Sequence, residues 1–292
     1  MRPLKVGLFL PVDRPWSELG QMAETAEAVG FDSVWIMDHL LFRNDEGESG
    51  AWECFSLIAA IAAATRRLEI GTLVACMPFR NPALLAKIVD TIEEISGGRL
   101  IVGLGAGWHE PEFRAFGYPF DHRASRFEEA FAILRGLLRE GRVDFEGRFH
   151  QAPDCVLLPR GPRPKGPPLM IGTRGERMLR LTAEHADLWN GCWFRDPSEV
   201  ASQLSLVDAA CAAVGREPSS LGRTGGVRLD LPGRTGKGVG SPAPLIESPA
   251  QAADLLRGYA AAGLPHLQLR LDPMTLASVE ALAPALELLD RS

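Results

Sequence analysis

Asn81-Pro-Ala-Leu-Leu-Ala-Lys-Ile-Val-Asp-Thr-Ile-Glu-Glu-Ile-Ser-Gly-Gly-Arg-Leu-Ile-Val-Gly-Leu104 contains a helix start, a helix stop and a strand in one continuous run. The Asn81 side chain suits a cap that accepts the first free amides of a helix, and Pro82 suits the first helical position. Gly97-Gly98 closes the helix at Ser96, because glycine adopts the left-handed conformation that ends it. Arg99–Leu104 is then nearly all apolar, as a strand buried on both faces must be. Leu68–Ala75, just upstream, reads the same way, so strand, helix and strand follow each other as one parallel unit.

The alternation extends outward in both directions. Upstream come a strand at Val6–Leu10, a helix at Trp16–Val29 ended by Gly30, and a strand at Ser33–Met37. A polar loop from Asp38 to Glu53 follows, then an Ala-rich helix at Phe55–Thr65. Downstream, Ser125–Glu140 is helical. The Pro-, Gly- and Arg-rich segment 143–168 breaks the rhythm and reads as an insertion between strands four and five. Leu169–Ile171, Leu188–Asn190, Gly226–Leu231 and His266–Leu271 are strands. They alternate with helices at Glu176–Ala186, Pro197–Val214, Pro249–Ala262 and Leu276–Leu289, and a second Gly/Pro-rich loop spans Arg234–Glu247. Eight strands and eight helices predict an α/β fold, a (β/α)8 TIM barrel forming a single domain over residues 1–292. A doubly wound open sheet is the alternative.

The composition sets limits on function. The 292 residues suit one such barrel, which needs about 250. A net charge of -6 argues against a nucleic-acid or anionic-membrane surface. No apolar run is long enough to span a bilayer, and the opening apolar run stops at Pro11 without a cleavage site, so it reads as the first strand. Cys54, Cys76, Cys155, Cys192 and Cys211 are odd in number, scattered and without a CxxC pair. That argues against a disulfide framework or a structural zinc and for a reducing cytoplasm.

Chemistry in such barrels gathers at the C-terminal ends of the strands. Strand two ends in Asp38-His39, where a histidine can handle a proton near neutral pH; a plain loop cap is the other reading. Strand three leads to Cys76, which has no identifiable histidine partner and reads as packing rather than nucleophile. Strand four leads to Gly103-Leu-Gly105-Ala-Gly107-Trp108-His109-Glu110. Pro111 is expected to block an immediate helix there, and the glycines are expected to let a flat group approach the backbone. Strand five leads to Gly172-Thr-Arg-Gly175 before a helix, an arrangement that offers a phosphate free amides, the Thr173 hydroxyl and Arg174. An ordinary strand-to-helix turn is equally compatible. His122, His150, His185 and His266 read as structural or solvated.

Six stretches in order resemble the luciferase-like monooxygenase family, in particular its branch using the deazaflavin coenzyme F420. They are Gly30-Phe-Asp-Ser-Val-Trp-Ile-Met-Asp-His39, Gly71-Thr-Leu-Val74, Phe79-Arg-Asn-Pro-Ala-Leu-Leu-Ala-Lys87, Ile95-Ser-Gly-Gly-Arg-Leu100, Gly103-Leu-Gly-Ala-Gly-Trp108, and Ile171-Gly172 with Ala186-Asp-Leu-Trp-Asn190. The resemblance implies that Asp38 and His39 border a tricyclic ring, with His39 nearest the hydride-bearing carbon. It implies that Leu73, Val74 and Ala75 back the ring through a bulge, often with a cis peptide. Ala106 and Gly107 would lie against the ring or its chain, and Gly172, Thr173, Arg174 and Gly175 would bind the phosphate.

Two positions depart from the family pattern. Relatives that oxidise a sugar phosphate carry Glu where this chain has Trp108, which argues against that activity unless Glu110 or Glu112 takes the role, and the second glycine of the phosphate turn is Thr173. The resemblance implies hydride transfer between F420 and a small organic substrate, and a homodimer. The alternatives are an FMN-dependent monooxygenase served by a separate cofactor reductase, and a non-catalytic flavin-binding barrel.

Overall fold

The computed structural model describes residues 4–44, 47–236 and 243–291. Residues 45–46 of the loop expected after strand two and residues 237–242 of the loop expected over 234–247 lie outside the described residues. The elements run in eight strand-then-helix steps, the order of a (β/α)8 barrel. Among the described residues no helix is long and apolar enough to cross a membrane.

The chain divides into two compact units, Met1–Trp35 with Arg67–Glu69 and Met170–Ser292, and Ile36–Arg66 with Ile70–Leu169. In the first unit, parallel pairing joins strands Leu188–Phe194, Gly222–Asp230, His266–Asp272 and Lys5–Phe9 in that order. Its interior carries polar groups most of which pair with one another, although Gln268 Nε2 and the Tyr259 hydroxyl have no hydrogen-bond partner among the described residues. Asn190 donates to Thr224 Oγ1 (2.7 Å) and Gln268 Oε1 (2.9 Å). The Trp35 indole donates to Ser33 Oγ at 2.8 Å, and Ser33 Oγ lies 2.8 Å from His266 Nε2. Gly7 makes room for that chain, since a Cβ there would stand 2.4 Å from both Ser33 Oγ and Trp35 Nε1. Arg228 is fully buried between Asp230 and Asp272, and Asp272 also accepts from the Thr235 amide at 3.0 Å.

In the second unit, strand Glu69–Thr72 pairs with Leu100–Gly105 through Ile70 and Gly71, and the short strand Ala75–Cys76 pairs with Leu104–Gly105. Helices Cys54–Ala64, Pro82–Ser96 and Arg123–Glu140 belong to this unit. Asn81 caps the middle one, accepting from the amides of Ala83 (2.9 Å) and Leu84 (3.0 Å), and Gly97 ends it at φ 64°. The insertion is an antiparallel hairpin, Arg142–Glu146 with Gln151–Val156.

Several local expectations are corrected. The loop after strand two contains a hairpin, Leu41–Asn44 with Gly47–Gly50, whose cross-strand Arg43–Glu48 pair (2.7 Å) joins residues with no apolar alternation to reveal them. The strand expected over 68–75 is interrupted after Thr72. Pro111 does not block a helix; it sits in the first turn of Glu110–Phe116, where its missing N–H costs no intrahelical bond. The last helix is two, Leu276–Ala281 and Ala283–Asp290.

His266 supplies a pH test of this packing. Complete burial pushes its imidazole down to about 3 from an ordinary 6.5, so the folded chain keeps the ring neutral where the unfolded chain takes a proton. Stability is therefore full above about pH 6.5 and falls as the pH drops toward 3. By pH 5.5 this one ring removes roughly 1.4 kcal/mol, measurable by urea unfolding. A His266→Gln chain with the same slope between pH 7 and 5.5 would contradict the assignment.

Candidate active site

The second unit collects most of the residues singled out by sequence. Asp38 follows strand Ser33–Ile36 and is buried, with its side chain 0% exposed. Its Oδ2 accepts from Arg80 Nη1 (2.6 Å) and from the Cys76 backbone amide (2.9 Å), and its Oδ1 accepts from Arg80 Nη2 (3.0 Å). Arg80 also reaches Glu53 Oε1 at 2.5 Å and lies over the Phe55 ring, 4.7 Å from its centroid. Glu53 in turn caps helix Cys54–Ala64 through the amides of Phe55 and Ser56. Burial pushes the Asp38 carboxyl above its ordinary range, and Arg80 and the Cys76 amide pull it back. Burial also acts to raise Glu53, but its bonds from Ser56 and Arg80 outweigh this and hold it below its ordinary value. A paired guanidinium, a backbone amide and a helix cap thus tie Asp38 to Cys76, to Arg80 and, through Glu53, to the start of helix Cys54–Ala64.

Between those anchors the Leu73–Val74 peptide is cis, with Leu73 and Ala75 buried and Val74 half-buried. The Leu73 amide donates to Ile36 O at 2.8 Å. Ala106 and Gly107 are half-buried beside this segment's strand partner. The glycines here serve packing inside the protein. A Cβ on Gly105 would meet Val74 Cγ2 at 2.8 Å, and one on Gly107 (φ 77°) would meet Phe113 at 2.4 Å and Cys76 Sγ at 2.8 Å. The Cys76 thiol is buried in this contact. Desolvation, then the charges of Asp38 and Glu112, push it far above the thiol range, so it packs and does not attack.

His39 turns away from Asp38. Its Nδ1 lies 2.9 Å from Glu112 Oε1, while Glu112 Oε2 accepts the Leu40 amide at 2.9 Å. Glu112 is 1% exposed. Burial acts to raise it, but the His39 and Leu40 bonds outweigh this and hold it below its ordinary 4.5. An ionised carboxylate only accepts, so His39 carries hydrogen on Nδ1 and presents Nε2 on the opposite edge of the ring. The ring lies among aromatics, with centroids 4.4 Å from Phe42 and 5.7 Å from Trp108. Glu110, the other candidate carboxylate, is exposed and paired with Arg114 at 2.8 Å.

The turn after strand Leu169–Gly172 belongs to the first unit. Gly172 and Thr173 are half-buried, Arg174 and Gly175 exposed. Helix Glu176–His185 starts from Gly175 with no side-chain cap, and a Cβ on Gly175 would meet nothing within 4 Å. The Trp189 indole donates to Thr173 O at 2.9 Å, and Arg174 donates to Cys192 O, next to the cis Cys192–Trp193 peptide. Uncapped first-turn amides, open space at Gly175 and a guanidinium fit a phosphate-bearing cofactor, with Glu176 opposing.

Sequence reasoning missed Arg80, Glu53 and the role of Glu112. Arg80 lies inside the quoted Phe79-Arg-Asn-Pro run, and a buried aspartate at a strand end calls for a cation. Nothing local, however, tells which arginine answers Asp38, 42 positions away.

With the geometry in place, comparison with known proteins identifies the class. The model of the luciferase-like monooxygenase family matches residues 4–229, and the chain belongs to that family, a family of oxidoreductases. It is 31% identical over 243 residues to the pyrimidine monooxygenase RutA of Stutzerimonas stutzeri, covering 74% of this chain and 66% of that protein. It is 33% identical over 174 residues to an F420-dependent glucose-6-phosphate dehydrogenase of Amycolatopsis mediterranei, covering 58% of this chain and 51% of that one. The match thus spans between 51% and 66% of these relatives' length. Among solved structures, an F420-dependent secondary alcohol dehydrogenase in complex with an F420-acetone adduct superposes with a TM-score of 0.83. It is 19% identical and covers 98% of this chain and 99% of that one, a likeness of fold.

Two outcomes follow from the site. Arg80→Met leaves Asp38 buried without its cation, which costs roughly 3–5 kcal/mol of stability by urea unfolding; a loss under about 1 kcal/mol would show that the pair is not held as described. Glu112, depressed below 4.5, contributes stability that is complete above its ordinary value and disappears as the pH falls through the lowered one. Glu112→Gln should therefore flatten the acid side of the stability curve, and an unchanged acid limb would remove the assignment.

Proposed function

We propose that the protein is an oxidoreductase that moves a hydride between the deazaflavin coenzyme F420 and a small organic substrate. The observation that carries this reading is the His39–Glu112 pair at 2.9 Å, which gives a half-buried imidazole one defined edge at the end of strand two. When bound, the deazaflavin supplies the carbon that carries the hydride. His39 Nε2 gives or takes the accompanying proton, Glu112 fixes the tautomer that lets it do so, and Asp38 with Arg80 holds the backbone through Cys76. Leu73, Val74, Ala75, Ala106 and Gly107 are the ring neighbours in this reading. The turn Gly172-Thr-Arg-Gly175, by itself, offers amides and Arg174 to a phosphate. Five free thiols agree with a reducing cytoplasm. A homodimer belongs to the same reading.

An FMN-dependent monooxygenase fed by a separate reductase is the second reading. It is favoured by the family's own description and by the similarity to a pyrimidine monooxygenase.

Titration of the purified chain with oxidised F420 and, separately, with FMN, followed by fluorescence, tests the proposal. Saturable F420 binding with FMN at least tenfold weaker is the expected result, and FMN preference moves the assignment to the monooxygenase. His39→Ala should retain cofactor binding and lower turnover about 10²–10⁴-fold. Tight binding with no turnover of any acceptor by the unaltered chain would leave a non-catalytic flavin-binding barrel.

A further inference from the structure

Beside His39 stands an indole with little cover. Trp108 is 64% exposed, the sort of side chain that folding normally hides, and its ring centroid lies 5.7 Å from His39 and 5.1 Å from His109. Phe42 completes the lip, 4.4 Å from His39 and 5.8 Å from His109. The cluster is held by backbone as well as by rings, since the Arg43 amide donates to His109 Nε2 at 3.3 Å.

Among the described residues, the arginines around this lip are paired. Arg43 is paired with Glu48 at 2.7 Å and Arg114 with Glu110 at 2.8 Å. Arg123 donates to Gly107 O at 2.6 Å and lies over the Phe120 ring at 4.1 Å. Glu112 is committed to His39 and to the Leu40 amide. A phosphate or carboxylate substrate needs a cation that can be turned toward it. Arg43 and Arg114 stand in exposed surface pairs that an anion would have to break, and Arg123 is held by Gly107 O and the Phe120 ring. An aromatic face, by contrast, is on offer.

Resting on the reading that His39 borders the reacting centre, we propose that the substrate is an uncharged compound with a planar, aromatic or conjugated face, which stacks on Trp108 beside His39. A phosphorylated sugar would have to draw Arg43 or Arg114 away from its glutamate to be held at this lip. It is therefore expected to bind there more weakly than a neutral planar compound, even though one relative is named for such a substrate. Trp108 is a specificity-determining residue in this proposal, and its exposure means that replacing it leaves the packed interior intact.

The test uses the full chain with and without saturating oxidised F420, benzaldehyde as the neutral planar probe and glucose 6-phosphate as the anionic one. Binding is read by ligand-observed NMR titration. The expected result is saturable benzaldehyde binding that weakens about tenfold or more in Trp108→Ala and less than about threefold in Trp108→Phe, with glucose 6-phosphate binding more weakly than benzaldehyde. The proposal is overturned if benzaldehyde does not bind, if it binds Trp108→Ala as well as the unaltered chain, or if glucose 6-phosphate binds more tightly. F420 fluorescence is recorded on the same samples. Loss of F420 binding with a persistent Trp108 effect would sink the cofactor assignment alone and leave the stacking site standing.

Discussion

A carboxylate taken out of water must be given partners that replace its hydration, and Asp38 shows what that requirement organises. Its two oxygens take both ends of the Arg80 guanidinium and one backbone amide. Because Arg80 also holds Glu53, and Glu53 caps a helix, one buried charge fixes three separate chain segments. The cis Leu73–Val74 segment lies between the Leu73 amide, which donates to Ile36 O, and the Cys76 amide, which donates to Asp38. The pair does not need to touch a substrate to matter. Its effect is to give the adjoining residues a single backbone course.

His39 depends on that course. Adjacent in sequence, Asp38 and His39 point to different partners, and the division separates a buried support from an oriented, half-buried imidazole. The aspartate is committed to structure, whereas the imidazole is oriented by a carboxylate from the short helix Glu110–Phe116. Pro111 and the glycines before it position that helix. Gly107 at positive φ lets Phe113 and Cys76 close over the turn, and with Phe113 packed, Glu112 is directed at His39. The glycine motif therefore also acts as a packing device that delivers a carboxylate.

The two units use polar residues differently. In the first, Ser33, Trp35, His266, Asn190, Thr224 and Gln268 form buried hydrogen-bonded chains, and Arg228 is neutralised by two aspartates. Such chains favour one register, because a slip strands a donor without an acceptor. In the second, Asp38 is likewise buried and paired, whereas His39 is half-buried and lies against the Phe42 and Trp108 rings.

Sequence by itself determined the order of elements. Apolar period, caps such as Asn81-Pro82 and stops such as Gly97-Gly98 act within a few residues, so the barrel class and its strand ends were legible, and so were Asp38 and His39 as residues at one of those ends. The hairpin after strand two was not, because Arg43 and Glu48 support it through a cross-strand pair rather than through alternation. Only the tertiary structure decided which arginine meets Asp38, and that Glu112 rather than Glu110 meets His39. Those choices join positions 42 and 73 residues apart, and at such separations spacing carries no information about contact. Burial also decided them, since a carboxylate becomes a partner or a solvated charge according to what the fold packs around it.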